Sequence, residues 1–226
     1  WLLIYLFQER MFMSENYLNE FYINEEKLVE KMGGTIEILR GWQDEKIFPK
    51  PSYVTETETT ISSFFGQHRY RKITKWYPDQ LDEWGFFIKN HHFSKDLIEM
   101  DFKNRYMNTI IGLRSIGVYD SIYEDICSKE MILNEVWGHF LDGIYGICTK
   151  NCTPEQIATK DVATYFINVL TDQQKKIMIA ENDKAKLVIA LDLLDSVTSF
   201  FAPHERHQCS RNQCINAVRK KYLCVG

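Results

Sequence analysis

The chain has 226 residues, of which 45% are hydrophobic and 14% aromatic, and its formal net charge is −4. This amount of apolar material excludes general disorder and is enough for one large domain or two small ones. The slightly acidic balance excludes a protein that attracts nucleic acid or an acidic membrane over its whole surface.

The chain begins with an apolar run from Trp1 to Phe7. The run is much shorter than the roughly 20 apolar residues that span a bilayer, and it lacks the features of a signal peptide. We therefore interpret residues 1–21 as a leader and expect the natural start at Met11 or Met13. Without an export signal, the 6 cysteines favour reduced thiols, so we predict a cytoplasmic protein.

Residues 22–92 predict a unit of two short helices, a β-hairpin and a third helix. Asn24 and Thr35 are typical N-caps for the first two helices. Two runs rich in Thr, Ile, Phe and Tyr, residues 55–65 and 68–76, predict the hairpin. This order of elements is a winged-helix pattern.

The unit from 22 to 92 resembles the DNA-binding head of MerR-type regulators, which implies a DNA-binding regulator or metabolite sensor. The charges disfavour this function, because the acidic side chains of the unit slightly outnumber the basic ones. Phosphate neutralisation supplies most of the non-specific affinity for DNA. The hairpin is the exception, since Arg69, Arg71, Lys72 and Lys75 cluster there. They fit either a solvated hairpin or contact with an anion.

Residues 93–226 predict a bundle of about five helices with apolar stripes at helical spacing. Ser128 is expected to open a helix that runs toward Ile144, and Thr153 and Thr171 are both interpreted as helix starts. The predicted fold class is therefore mainly α. It consists of a winged-helix-like N-terminal unit with a small β-hairpin, fused to a C-terminal helical bundle.

A first candidate site is the triplet Glu135, His139 and Asp142, which stand at positions i, i+4 and i+7 and would share one helix face. Such a triplet can ligate a metal or hold a histidine for proton transfer. We predict His139 as the acid–base residue, with Glu135 or Asp142 orienting it. The alternative is the polar side of an amphipathic helix.

Two glycines follow this triplet, Gly143 and Gly146, where a helix interior disfavours glycine. They indicate a close backbone approach, a helix C-cap, or room for a ligand beside Tyr145. We include Tyr145 among the substrate-binding residues.

A second candidate site begins at Pro203, which is expected to start a helix. His204 and Glu205 would then lie in a first turn, where exposed amides favour anions, and Arg206 and Arg211 would add positive charge. We predict that these four side chains bind the substrate. The alternative is a helix cap with solvated charges. A zinc site is disfavoured, because the histidines and cysteines of this stretch lack a familiar ligand spacing.

The motif His139-Phe-Leu-Asp-Gly-Ile-Tyr-Gly-Ile-Cys148, with Ala202-Pro-His-Glu205 and Ser210-Arg211, resembles an uncharacterised bacterial family of natural product biosynthesis proteins. The resemblance implies a context in secondary metabolism and no mechanism. We therefore predict an accessory protein or enzyme that acts on a small-molecule or carrier-bound substrate, in a pocket formed by the two stretches.

Whether the protein is catalytic stays open at this point. A non-catalytic module that binds a peptide or a carrier protein is the remaining alternative. No metal or cofactor is predicted, and neither nucleic acid nor a membrane is expected as a partner. A homodimer is left open.

Overall fold

A computed structural model describes residues 16–91, 94–118 and 121–223. Residues 16–21 are helical and lead into the first strand. The named elements then follow in the order β1 (Tyr22–Asn24), α1 (Glu25–Lys31), α2 (Ile36–Asp44), β2 (Tyr53–Ser63), β3 (Gly66–Pro78), α3 (Asp82–His91), α4 (Lys95–Gly112), α5 (Ser121–Cys127), α6 (Glu130–Leu141), α7 (Ile144–Cys148), α8 (Pro154–Thr171), α9 (Glu181–Val197) and α10 (Ala217–Tyr222).

The described part of the chain is mainly helical, with one small antiparallel sheet in the strand order β1-β3-β2. The predicted mainly helical class is confirmed, whereas the winged-helix and bundle assignments stay predictions. Within the described ranges, no helix has the length and apolar character needed to cross a bilayer. Residues 1–15 of the predicted leader, with both candidate start methionines, lie outside the described residues.

The N-terminal unit follows the local signals of its sequence. The Asn24 side chain accepts a hydrogen bond from the Lys27 amide at 2.9 Å, and the Thr35 hydroxyl accepts one from the Ile38 amide at 3.4 Å. Both caps satisfy amides that the first turn of a helix leaves unpaired. After α2, the hairpin of β2 and β3 turns at Phe64-Phe65, two residues earlier than expected.

Two expectations for the C-terminal part were wrong. The helix expected between Ser128 and Ile144 ends at Leu141, because Gly143 takes a left-handed conformation at φ +76°. Thr171 ends α8 instead of opening a helix. Its hydroxyl does accept a hydrogen bond from the Gln174 amide at 3.1 Å, as an N-cap would, but here the bond closes a C-terminal turn.

One hydrophobic core joins the N-terminal unit to the helices that follow it. Trp84 of α3 packs against Phe102 of α4 and Phe140 of α6, with ring centroids 6.1 and 5.4 Å away. Buried aromatic side chains of this size dominate the packing energy of a small core. The helices after residue 94 are therefore held in a fixed relation to the sheet.

The two parts approach each other closely at Gly143 and Gly146. A Cβ atom on Gly143 would lie 2.6 Å from the Lys50 carbonyl oxygen, and one on Gly146 would lie 2.0 Å from Ser52 Oγ. Of the alternatives raised by the sequence, close backbone approach is the one observed. The space beside these glycines is filled by the segment between α2 and β2 and not by a ligand site.

We expect Gly143→Ala to lower the free energy of unfolding by roughly 2 to 4 kcal/mol, because alanine is strained at positive φ and its Cβ meets two backbone oxygens. Gly138→Ala is the matched control, since nothing lies within 4 Å of its Cβ and the position is helical. It should stabilise by up to about 1 kcal/mol. Urea unfolding of both variants measures the difference, and equal stabilities would contradict the close approach.

Candidate functional site

The chain segments just after α7 and just after α9, which border the two stretches singled out in the sequence, lie against each other. Thr149 and Thr198 form an isolated antiparallel bridge, and the Lys150 amide donates to the Val197 carbonyl at 2.9 Å. The Ser199 hydroxyl also donates to the Ile147 carbonyl at 2.5 Å. The loop after α7 and the loop after α9 therefore run side by side, although about 50 residues separate them in the chain.

Tyrosines from the N-terminal unit connect the same two loops. The Tyr22 hydroxyl donates to the Gly146 carbonyl at 2.9 Å, and the Tyr53 hydroxyl donates to the Glu205 carboxylate at 2.6 Å. The two rings meet edge to face, with centroids 5.1 Å apart. Burial raises the pKa of both hydroxyls well above the ordinary value, so both are protonated hydrogen-bond donors at neutral pH.

A cleft of about 260 Å³ opens at this meeting point, and we call it the junction cleft. Phe21 and Phe200 line it and pack against each other in a tilted arrangement, with ring centroids 5.4 Å apart. The Lys150 ammonium lies 5.9 Å from the centre of the Phe200 ring. The lining residues are Tyr17, Glu20, Phe21, Tyr22, Asp79, Gln80, Thr149, Lys150, Asn151, Ser199 and Phe200.

Tyr17 gives the junction cleft a buried polar group. Only 3% of this residue is exposed, and within the described residues its hydroxyl makes no hydrogen bond of good geometry. The hydroxyls of Tyr22 and Ser199 lie beside it and partly offset the rise that burial causes in its pKa. A buried hydroxyl without a well-formed bond is costly, so this one is available to a ligand or to water.

The three predicted catalytic residues lie near one another but do not form a hydrogen-bonded triad. Asp142 pairs with Lys50 at 2.8 Å, and this bond lowers the pKa of the Asp142 carboxyl. His139 places its ring 6.2 Å from that of Tyr145, and Glu135 is exposed. No hydrogen bond joins any two of the three predicted residues. Their catalytic roles stay predictions.

The helix expected to begin at Pro203 is absent, because residues 203–208 form consecutive turns. Phe201 adopts a left-handed φ of +58°, and the Glu205 amide donates to the Ala202 carbonyl at 2.9 Å, as in a β-turn. The predicted anion site at a helix N-terminus is therefore not formed here. His204 stays largely exposed, with its ring nitrogen 3.9 Å from the Glu205 carboxylate.

The two predicted arginines donate hydrogen bonds mainly to backbone carbonyls of their own chain. Arg206 Nε donates to the Phe201 carbonyl at 3.2 Å. Arg211 donates to the carbonyls of Ser199 and Thr198 at 2.9 and 2.8 Å, and to the Asp195 carboxylate at 2.5 Å. Arg211 thus satisfies carbonyls at the end of α9 and holds the loop that carries Ser199.

A partly buried polar cluster that the sequence reasoning missed lies between α4, α5 and α8. Asp161 accepts a hydrogen bond from the Tyr106 hydroxyl at 3.1 Å, and Tyr123 Oη lies 3.4 Å from Tyr106 Oη. Burial raises the pKa of the Asp161 carboxyl to about 6, against the opposing effects of Lys160 and His139. We call these three residues the Tyr106–Asp161 cluster.

A signal for this cluster was present in the sequence. Asp161 stands four residues after Ile157, which is fully buried, and Val162 and Ala163 beside it are buried as well. A carboxylate on the same helix face as buried apolar residues is expected to be removed from water and to require a hydrogen-bond donor from another part of the chain. The adjacent Lys160 conceals this signal, because the pair has the appearance of a solvated ion pair.

We expect Asp161→Asn to raise the free energy of unfolding at pH 8 by about 2 kcal/mol. The wild-type carboxyl binds its proton more tightly in the folded protein than in the unfolded one. Its stabilising contribution to the free energy of unfolding is therefore fully present below about pH 4 and is lost as the pH rises through about 6. The side-chain amide of the variant would still accept a hydrogen bond from Tyr106, and it carries no charge.

Urea unfolding between pH 4 and 8 should show a flatter dependence of stability on pH for Asp161→Asn than for the wild type. Asp125→Asn, an exposed carboxylate on α5, should keep the wild-type profile, and identical profiles for all three proteins would contradict the assignment.

The described ranges contain no group of three or more His, Cys, Asp or Glu side chains that could hold a metal ion. The five described cysteines are free thiols, and Cys209 is buried with its sulfur 3.1 Å from the Arg206 carbonyl oxygen.

Comparison with known proteins gives one result. Residues 98–223, more than half of the chain, match a family of unknown function, DUF6058, and the chain therefore belongs to that family. The match includes both stretches of the candidate site and begins inside α4. No curated protein and no solved structure matches the chain. Membership of an uncharacterised family was predicted, and the natural product context stays a prediction.

Proposed function

We propose that this member of DUF6058 is an accessory protein that binds a small organic substrate, free or carrier-bound, in the junction cleft. The main support is that segments far apart in the chain line the cleft together. Residues 17–22 supply one part of the lining, residues 79–80 after β3 a second part, and the loops after α7 and α9 the rest. Its place in bacterial secondary metabolism rests only on the resemblance of the two sequence stretches.

The size and walls of the cleft favour a single-ring ligand. At about 260 Å³ it is slightly smaller than the 300 to 1,000 Å³ typical of sites for drug-sized molecules. Phe21 and Phe200, packed against each other, present apolar surface to the cleft, against which a flat ring can pack in an offset or tilted arrangement. The Tyr17 hydroxyl offers a polar contact deeper in the cleft.

Lys150 favours an acidic group on that ring. It is exposed at the opening of the cleft together with Glu20, while Asp79, the other carboxylate of the lining, pairs with Lys31. The Lys150 ammonium lies near the Phe200 ring, so a ring stacked on Phe200 would bring its own carboxylate within reach of that ammonium. An exposed mouth also admits the acyl end of a substrate tethered to a carrier.

Binding is better supported than catalysis. None of His139, Glu135 and Asp142 lines the junction cleft. A general acid or base has to lie within hydrogen-bonding reach of the reacting atoms. The contacts of His139 are with Tyr145 and, electrostatically, with Asp142 and Asp161.

We expect benzoate and 4-hydroxybenzoate to bind in the junction cleft with weak affinity, measured by saturation-transfer NMR. Lys150→Gln should weaken binding of these carboxylates about tenfold, which corresponds to one lost charge-assisted contact. It should leave binding of the neutral analogue benzamide unchanged, because the rings that hold it are intact.

The matched control for this experiment is Lys129→Gln, which removes an exposed lysine at the start of α6, outside the cleft lining. It should bind the carboxylates as the wild type does. Equal losses in both lysine variants, or no loss in Lys150→Gln, would show that the carboxylates do not occupy the cleft as proposed.

A further inference from the structure

The hairpin of β2 and β3 extends away from the rest of the protein. Every residue from Thr60 to Ile73 is exposed, on both faces of the ribbon. The register pairs Ser63 with Gly66 at the tip and Glu56 with Ile73 near the base. With about 3.3 Å per residue, the exposed part reaches about 20 Å beyond the body.

The tip of this ribbon is strongly apolar. Phe64 and Phe65 are 97% and 94% exposed, and their rings contact each other edge to face at 5.4 Å. Ile61 and Tyr70, just behind them, are also exposed. Exposed aromatic pairs of this kind mark an interaction site, because no residue of the described ranges removes them from water.

The part of β3 next to the tip carries a positive charge, and some of its basic side chains make no ion pair within the described residues. Between residues 59 and 73 the charged side chains are Arg69, Arg71 and Lys72, with no acidic residue among them. Arg71 is paired with Glu56. Arg69 and Lys72 lie opposite Thr60 and Thr57, and neither makes an ion pair within the described part of the chain.

We propose that the tip of the ribbon is a docking element for an anionic lipid membrane, independently of what the junction cleft binds. Interfacial aromatic side chains insert about 5 to 10 Å into the boundary between headgroups and acyl chains. Arg69 follows Gly66 by three residues, about 10 Å, so insertion of both phenylalanines brings its guanidinium to the headgroups. Basic side chains at that depth are attracted by anionic headgroups.

Two other partners fit these observations less well. A protein binds nucleic acid through basic side chains, but the tip of this ribbon consists of two phenylalanines. The chain as a whole also has a net charge of −4. A second copy of the chain would have to seat two phenylalanine rings in one cavity, and the junction cleft, at about 260 Å³, has the size for a single ring. A fluid bilayer needs no preformed pocket.

The test is co-sedimentation with sucrose-loaded vesicles of phosphatidylcholine and phosphatidylserine at 7:3, compared with phosphatidylcholine alone. The full chain should sediment with the mixed vesicles at low salt. Phe64→Ala with Phe65→Ala should reduce the bound fraction at least tenfold, while Phe64→Leu with Phe65→Leu should restore most of it. Arg69→Gln with Lys72→Gln should lower binding to the mixed vesicles and remove its dependence on salt.

The matched control is Ile177→Ala with Met178→Ala, which removes another exposed apolar pair, 90% and 82% exposed, next to two lysines. It should bind the mixed vesicles as the wild type does. Circular dichroism should be the same for all variants, because the changed side chains are almost fully exposed.

Three outcomes would overturn the proposal. The first is no vesicle binding by the wild type, and the second is equal loss in the control pair and the tip pair. The third is a different partner. Duplex DNA bound in an anisotropy assay without vesicle binding would assign the ribbon to nucleic acid. A dimer in sedimentation velocity that the tip variant dissociates, again without vesicle binding, would assign it to a second copy.

Discussion

The backbone contact between residues 141–146 and the segment from Lys50 to Ser52 is the constraint on which the rest of the molecule depends. Gly143 and Gly146 leave no room for a side chain there. The Lys50 amide therefore reaches the Leu141 carbonyl at 2.8 Å, and Ser52 Oγ reaches the Gly143 carbonyl at 3.2 Å. This contact places the sheet so that its tyrosines meet the loops after α7 and α9. The junction cleft exists because of that placement.

Features that depend on neighbouring residues could be predicted from the sequence. The caps at Asn24, Thr35 and Thr153 each satisfy an amide three residues further on, so the whole interaction lies within four residues. The hairpin was found for a similar reason, because β-branched and aromatic residues at period two are a local signal. The two glycines also indicated a close approach, although not the segment that approaches them.

Features set by distant contacts could not be predicted in the same way. Thr171 has the local chemistry of a cap, yet three successive residues after it take positive φ and end the helix. Pro203 is a good first helical residue, but the segment after it forms turns. Its Glu205 binds Tyr53, which lies 152 positions earlier in the chain than Glu205. The hydrogen-bond donor of Asp161 is Tyr106, which lies on another helix. In each case the deciding partner lies outside the window that a sequence pattern can cover.

The ribbon shows why total charge is a poor guide to a local surface. Its acidic residues, Glu56 and Glu58, are all on β2, and its basic residues are all on β3. The register brings Glu58 opposite Arg71, and Arg71 pairs with Glu56, two residues from Glu58 on the same face. Such cross-strand pairs help to stabilise a two-stranded ribbon that is otherwise marginal in water. The acidic residues of the ribbon lie near its base, so pairing there leaves the positive charge toward the tip. A chain with a net charge of −4 can therefore carry a cationic, aromatic tip, and strand register determines where that tip lies.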